Sequence, residues 1–236
     1  MNSALLRIEY LGRDFGYRKV FDSGIIEVNS PRWIALCGPN GSGKTTLIRI
    51  LSTLCLPTAG DAKILGYSVV KQSEKIKPLI GASLVGEGGF FKKLTGHENL
   101  KIFGGLRAVS SKDLESQIER WMQVLPIRET LDRPYGLASS GQKQALHLVR
   151  AFIHSPKIVF LDEPTRSLDT LSADRFLSEC RRLAKNTLVI SSTHRAAEKS
   201  MTPYSWVIEK QFLSSLVKKV VSPHSDSRVW VSPESI

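Results

Sequence analysis

The sequence has no apolar run approaching the ~20 residues that a bilayer-crossing helix requires. Its longest apolar stretches are strand-sized, and the one that follows Lys157 ends in the charge of Asp162. A membrane-spanning segment is thereby excluded. Cysteine is scarce: Cys37, Cys55 and Cys180 are an odd number at wide spacing, with no Cys-x-x-Cys pair. A disulfide framework and a cysteine-based zinc site are excluded. Cys37 lies in an apolar run and is expected to pack in the core. The opening residues Met1-Asn2-Ser3-Ala4-Leu5-Leu6-Arg7 lack a basic leader followed by an apolar block, so no secretory leader is expected and a cytoplasmic location is. Acidic side chains are in deficit, with 22 Asp and Glu against 33 Lys and Arg, a net charge of +11. That excess suits an anionic partner: nucleotide, nucleic acid or a membrane surface. Residues 71–112 alone hold eight Lys and Arg against three Glu.

What is present is the composition of a folded domain, 42% hydrophobic and 23% charged, which excludes disorder as the main state. Strand-like runs alternate with helix-like periods, the mark of an α/β architecture. Strands are predicted over Leu5–Tyr10, Ile25–Val28 and Trp33–Cys37. A helix follows from Lys44 with Leu47, Ile48, Ile50, Leu51 and Leu54 as its apolar face, ended by Pro57 and Gly60. Another strand is predicted over Ala62–Leu65. Between Gly86 and Ser140 two helical patterns, Gly96–Leu106 and Lys112–Val124, read as an insertion into the α/β core, with Ser110 or Ser111 as cap. After Gly141 come a helix to His154, a strand over Lys157–Leu161, a helix over Asp169–Ala184, and strands over Leu188–Ser191 and Trp206–Glu209. The residues from Gln211 onward read as a tail, solvated by preference, in which Phe212–Val221 is the candidate for an amphipathic strand or helix.

The strongest local signal is Gly38-Pro39-Asn40-Gly41-Ser42-Gly43-Lys44-Thr45. It fits G-x-x-x-x-G-K-[ST] in full, follows an apolar strand and opens an amphipathic helix, the context this phosphate loop requires. Average residue usage makes a chance match in a chain this long about 1 in 100. Its glycines let backbone N–H groups converge on phosphate oxygens, helped by the helix dipole. Lys44 would reach the β- and γ-phosphates, and the Thr45 hydroxyl would ligate Mg²⁺. A GTPase would add Asn-Lys-x-Asp, which does not occur. The apolar strand before Asp162 and Glu163 ends in two carboxylates at the edge where an open α/β sheet places its chemistry. Side chains alternate, so Asp162 would hold Mg²⁺ through water while Glu163 orients or deprotonates the attacking water.

At this point the chain resembles the nucleotide-binding subunits of ATP-binding-cassette (ABC) transporters, over about residues 5–210. Further segments carry the resemblance in the family's order: Ala138-Ser139-Ser140-Gly141-Gln142 for the signature loop, Ser167-Leu168-Asp169 for the D-loop, and Ser192-Thr193-His194 for the switch histidine. Phe15, with Tyr17 as the other choice, fits the aromatic that stacks on adenine, and Thr46 extends the ATP-binding loop. The resemblance implies an α/β P-loop NTPase (RecA-like) core with an N-terminal antiparallel β subdomain and an α-helical subdomain inserted at about residues 87–140. It implies a single ABC ATPase domain over residues 1–210 and a short tail over residues 211–236. It also implies ATP and Mg²⁺ as ligands, catalysis by Lys44, Glu163 and His194, and a dimer, two identical chains by preference, around two ATP molecules. In that dimer the signature loop of one subunit, through Ser139 and Gly141, faces the phosphate loop of the other. The expected partner is an integral-membrane permease, which would hold the chain at the inner face of the membrane. Nucleic acid is not an expected partner.

Two departures stand out. Ser140 replaces the signature loop's first glycine, and the Q-loop glutamine position falls on Gly86, with Glu87 beside it. The stretch Phe90 to Leu100 and the run Asp162 to Asp169 are similar to those of ABC-2 type exporter subunits. The other readings are a nucleotide-gated scaffold, motivated by the two departures, and an ABC ATPase working on nucleic acid or ribosomes, motivated by the charge.

Overall fold

The computed structural model describes residues 4–84, 88–193 and 196–217. In chain order the strands are β1 (Leu6–Phe15), β2 (Arg18–Ser23), β3 (Ile25–Val28), β4 (Trp33–Cys37), β5 (Ala59–Ile64), β6 (Tyr67–Ser68), β7 (Ile80–Ser83), β8 (Ile158–Leu161), β9 (Leu188–Ser192), β10 (Tyr204–Glu209) and β11 (Phe212–Val217). The helices are α1 (Lys44–Leu51), α2 (Ser73–Ile76), α3 (Gly96–Gly105), α4 (Ser111–Met122), α5 (Arg128–Leu131), α6 (Ser140–Phe152), α7 (Thr170–Leu183) and α8 (Ala196–Ser200).

Strands β10, β4, β9, β8 and β7 lie side by side and parallel. Strands β4, β8 and β9 are buried at every residue, as parallel strands covered on both faces must be. Their alternation sorts them into two cores. Ile34, Leu36, Ile158, Phe160 and Ile190 pack with α1 on one side. Trp33, Val159, Leu161 and Val189 pack on the other, with Trp121, Phe152 and Phe176. Strands β1, β3, β5 and β6 are antiparallel and bury Leu6, Ile8, Ala62 and Ile64 in the first core. This is the α/β class expected, with an antiparallel N-terminal layer and helices α3–α5 set between β7 and α6.

Capping explains the sharp helix starts in that region. Thr95 accepts from the Glu98 N–H while the Glu98 carboxylate accepts from the Thr95 N–H, a reciprocal box. Ser110 caps α4, so of the two serines considered it is the first.

Three expectations need correction. Helix α1 ends at Leu51, well before Pro57, because Thr53 turns into the left-handed region at φ 64°; Leu54 is therefore exposed rather than part of the apolar face. Strand β7 was not predicted, since Ile80-Gly81-Ala82-Ser83 contains one large apolar residue and shows no period. The tail does not begin at Gln211. Phe212–Val217 pair antiparallel with β10 and parallel with β2, and Leu213 is fully buried. Polar Ser214 and Ser215 make that strand the lesser reading of its segment in the sequence.

Candidate functional site

Burial of β4 fixes the point at which the chain leaves the sheet at Gly38 and turns through a loop into α1. Gly43 caps that helix at φ 105°, and a Cβ there would lie 2.7 Å from Val20 Cγ1, so glycine is required twice over. No side chain caps the first turn of α1 and no acid sits in it. Its N–H groups and positive dipole end are left for an external anion. The Ser42 hydroxyl is buried with no hydrogen-bond partner among the described residues. Lys44 is only 6% exposed. Its Nζ donates to the carbonyls of Gly38 at 2.9 Å and Pro39 at 2.8 Å. Burial holds this ammonium below the usual lysine range, while Glu163 and Asp162 pull it back up.

Asp162 follows the last residue of β8 and is 2% exposed. Its Oδ2 accepts from the Thr45 hydroxyl at 2.7 Å, and its Oδ1 accepts from the Ser192 hydroxyl at 2.6 Å. The Ser192 oxygen accepts in turn from the Glu163 N–H at 2.9 Å. Glu163 itself stands at φ 45°, a left-handed backbone that non-glycine residues rarely adopt. The Arg166 guanidinium lies 3.4 Å from its carboxylate.

Lys44, Thr45 and Glu163 border a cavity of about 900 Å³, lined also by Phe15, Asn40, Gly41, Gly43 and Thr46, together with Arg18, Val20 and Arg166. Of the two aromatics considered, Phe15 lines this cavity, half exposed with the Arg13 guanidinium 4.4 Å from its ring centroid. Tyr17 is fully exposed and does not line the cavity. Gly38, Pro39 and Ser42 shape the loop from behind. Ser139, Ser140, Gly141 and Gln142 do not line the cavity. They begin α6, where Ser139 accepts from the Gln142 N–H and Gln142 accepts from the Ser139 N–H. A Cβ on Gly141 would meet the Ser167 carbonyl at 2.7 Å, so the absence of a side chain lets the first turn of α6 approach the backbone at Ser167. Leu168 is buried, and Asp169 caps α7 through Ser172. Those hydrogen bonds hold the Asp169 carboxyl below its ordinary range. Gly86, Glu87 and His194 lie outside the described residues.

Ser192, Arg18, Val20 and Arg166 were missed as site residues. For Ser192 there is a signal, a polar Ser191-Ser192-Thr193 run closing a strand buried at every position. Nothing marks Arg18 or Val20, which arrive on β2.

Residues 25–166 match the family described as ABC transporter. Among curated relatives, the chain is 34% identical over 162 residues to the ABC transporter ATP-binding protein NatA of Bacillus subtilis (strain 168), covering 67% of this chain and 65% of that protein. It is 32% identical over 200 residues to the daunorubicin resistance ATP-binding protein DrrA2 of Streptomyces coeruleorubidus, covering 84% and 62%. It is 32% identical over 198 residues to the bacitracin transport ATP-binding protein BcrA of Bacillus licheniformis, covering 83% and 63%. The chain therefore spans somewhat less than two thirds of the length of these relatives. A solved ATP-binding subunit of an ABC transporter superposes with a TM-score of 0.81 at 22% identity, covering 90% of both chains. A nucleotide-free ATP-binding cassette superposes with 0.75 at 21%, covering 92% of both. These two carry the fold.

Proposed function

Since this chain belongs to the ABC transporter family, we propose that it is an ATP-binding and hydrolysing subunit that drives a separate membrane permease, in the export direction. The observation that carries the reading is the 2.7 Å contact between the Thr45 hydroxyl and Asp162 in an uncapped phosphate loop, whose Thr45 shares a cavity with Glu163. The printed names of DrrA2 and BcrA, a drug-resistance and a bacitracin-transport protein, favour export.

Thr45 Oγ1 and Asp162 Oδ2 are hard oxygen donors side by side, the pair that suits Mg²⁺. That ion takes one or two carboxylates and completes its shell with water and phosphate. When bound, Mg²⁺ neutralises charge on the phosphate oxygens. Lys44 exchanges its two loop carbonyls for phosphate oxygens, which are stronger partners for an ammonium. Glu163 accepts a proton from the attacking water. The Asp162–Ser192–Glu163 chain fixes the metal-facing and water-facing carboxylates relative to one another. Phe15 and the Arg13 cation above it form the platform for the base. The signature residues Ser139 to Gln142 are offered to the cavity of a second subunit, which their absence from this chain's own cavity supports. In this reading the chain is one ABC domain with helices α3–α5 as its inserted helical part. Among the described residues no helix is long and apolar enough to cross a membrane; in this reading the permease supplies the spans and holds the subunit at the inner face.

The test is tagged purification in detergent from the native host, with mass spectrometry of what accompanies the chain and an Mg²⁺-dependent ATPase assay. A stoichiometric polytopic membrane partner and ATP turnover are expected. Recovery only of ribosomal proteins or nucleic acid that survives moderate salt would overturn the transport assignment, since mere charge attraction is lost as salt rises.

A further inference from the structure

Three charged side chains are deeply buried among the described residues: Lys44, Asp162 and Glu198. The first two belong to the site above. Glu198, on α8, is 2% exposed and lines no cavity described here. A buried carboxyl is costly unless it is paired. The Glu198 carboxyl accepts a hydrogen bond from the hydroxyl of Thr165, itself 2% exposed. Thr165 sits two residues beyond Glu163.

The segment it anchors is small and tightly turned. The Arg166 N–H bonds back to the Glu163 carbonyl at 3.1 Å, and the Leu168 N–H to the Thr165 carbonyl at 3.2 Å. Glu163 opens this turn in a left-handed conformation, φ 45°. A backbone of that kind costs on the order of 1–3 kcal/mol and persists only where its surroundings hold it. One hold is known from the site: Ser192 takes the Glu163 N–H from the upstream side. The other lies downstream, where Glu198 grips the turn through Thr165.

We infer that Glu198 is a positioning residue, which through Thr165 holds the Glu163 carboxylate in the geometry for attacking water. It acts on turnover and not on nucleotide affinity, because neither Thr165 nor Glu198 lines the nucleotide cavity. The inference rests on Glu163 being the base, as proposed above.

The test compares the wild-type chain with Thr165→Val, Glu198→Ala, Glu198→Gln and the Thr165→Val/Glu198→Ala double variant, in the ATPase-active preparation. Nucleotide affinity is measured alongside with a fluorescent ATP analogue. Thr165→Val is near-isosteric and guards against a variant that merely fails to fold. The expected result is a kcat about 10- to 100-fold lower for Thr165→Val and Glu198→Ala, the scale of a small misplacement of a reacting group, with KM and analogue affinity within about threefold. Glu198→Gln keeps an acceptor oxygen and is expected to restore most of the rate. The double variant should be no slower than the worse single one, since both cut the same tether. Wild-type kcat in Thr165→Val, multiplicative losses in the double variant, or a fall in affinity that parallels kcat would overturn the inference. A Glu163→Gln control separates the two readings: undiminished turnover there removes Glu163 as the base, whatever Thr165 and Glu198 do.

Discussion

Glu163 and His147 show how single residues are set by what encloses them. For Glu163 the consequence is kinetic. Glu163→Gln preserves the loop, the Thr45–Asp162 contact and the cavity, so ATP should bind within a few fold of wild type. Turnover should fall by about 10²-fold or more, the usual worth of a catalytic base, in a steady-state ATPase assay. For His147 the consequence is stability. Its ring lies edge-on to Phe90 at 4.7 Å, and Nε2 meets the Tyr135 hydroxyl at 2.9 Å. Burial pushes its pKa down to about 4, with Arg150 adding to the effect. The folded state thus keeps this imidazole neutral where the unfolded chain, near 6.5, already takes a proton. Its contribution is complete above about pH 6.5 and is lost as pH falls through about 4. The thermal midpoint should therefore drop on acidification from pH 7 to 5, and drop less in His147→Gln. At this scale the sequence was legible where chemistry and spacing coincide, as in Lys44, Thr45, Asp162 and Glu163. It was silent on Ser192 as a bridge and on Glu198, whose roles depend on side chains brought together from β8, β9 and α8.

Among the elements, those with strong periodicity or a cap were readable: α3, α4, α6 and α7 begin within a residue of expectation because Thr95, Ser110, Ser139 and Asp169 close their first turns. Strands β2, β6 and β7 show no readable pattern and β11 is only the lesser reading of its segment, because small or polar residues such as Ser23, Ser68, Gly81 and Ser214 interrupt them. Tertiary contact, not local preference, makes them strands. The case of β11 is testable. Leu213 is buried against the core shared by β10 and β1, whereas Phe212 is half exposed. Leu213→Ala should cost about 2–5 kcal/mol, as for other buried large-to-small changes. Phe212→Ala should cost much less in the same denaturant titration.

For the whole molecule, the residues proposed for the site fall on two separate parts of the chain. The phosphate loop and Glu163 line one cavity, with Asp162 bonded to Thr45, while Ser139, Gly141 and Asp169 do not line it. In the proposed function the missing half comes from another subunit. The slow variant is then the one to trap it: Glu163→Gln with Mg·ATP should elute as a dimer in size exclusion with light scattering, and as a monomer without nucleotide. A monomer under both conditions would count against the paired arrangement. The α/β class was evident from alternation alone. The order of the sheet was not, because β2 and β10 are joined by a strand that comes after both in the chain.

That late strand has a consequence for how the protein is made. Asp22, near the start, pairs with Phe212, and β11 is the link between the antiparallel layer and the parallel core. During synthesis both layers leave the ribosome with the seam between them unfilled, and edges of β2 and β10 stay exposed until the closing strand emerges. Such long-range pairing is slow and leaves sheet edges open to wrong partners. The nascent chain therefore stays vulnerable at this seam until β11 is translated, long after the phosphate loop has left the ribosome.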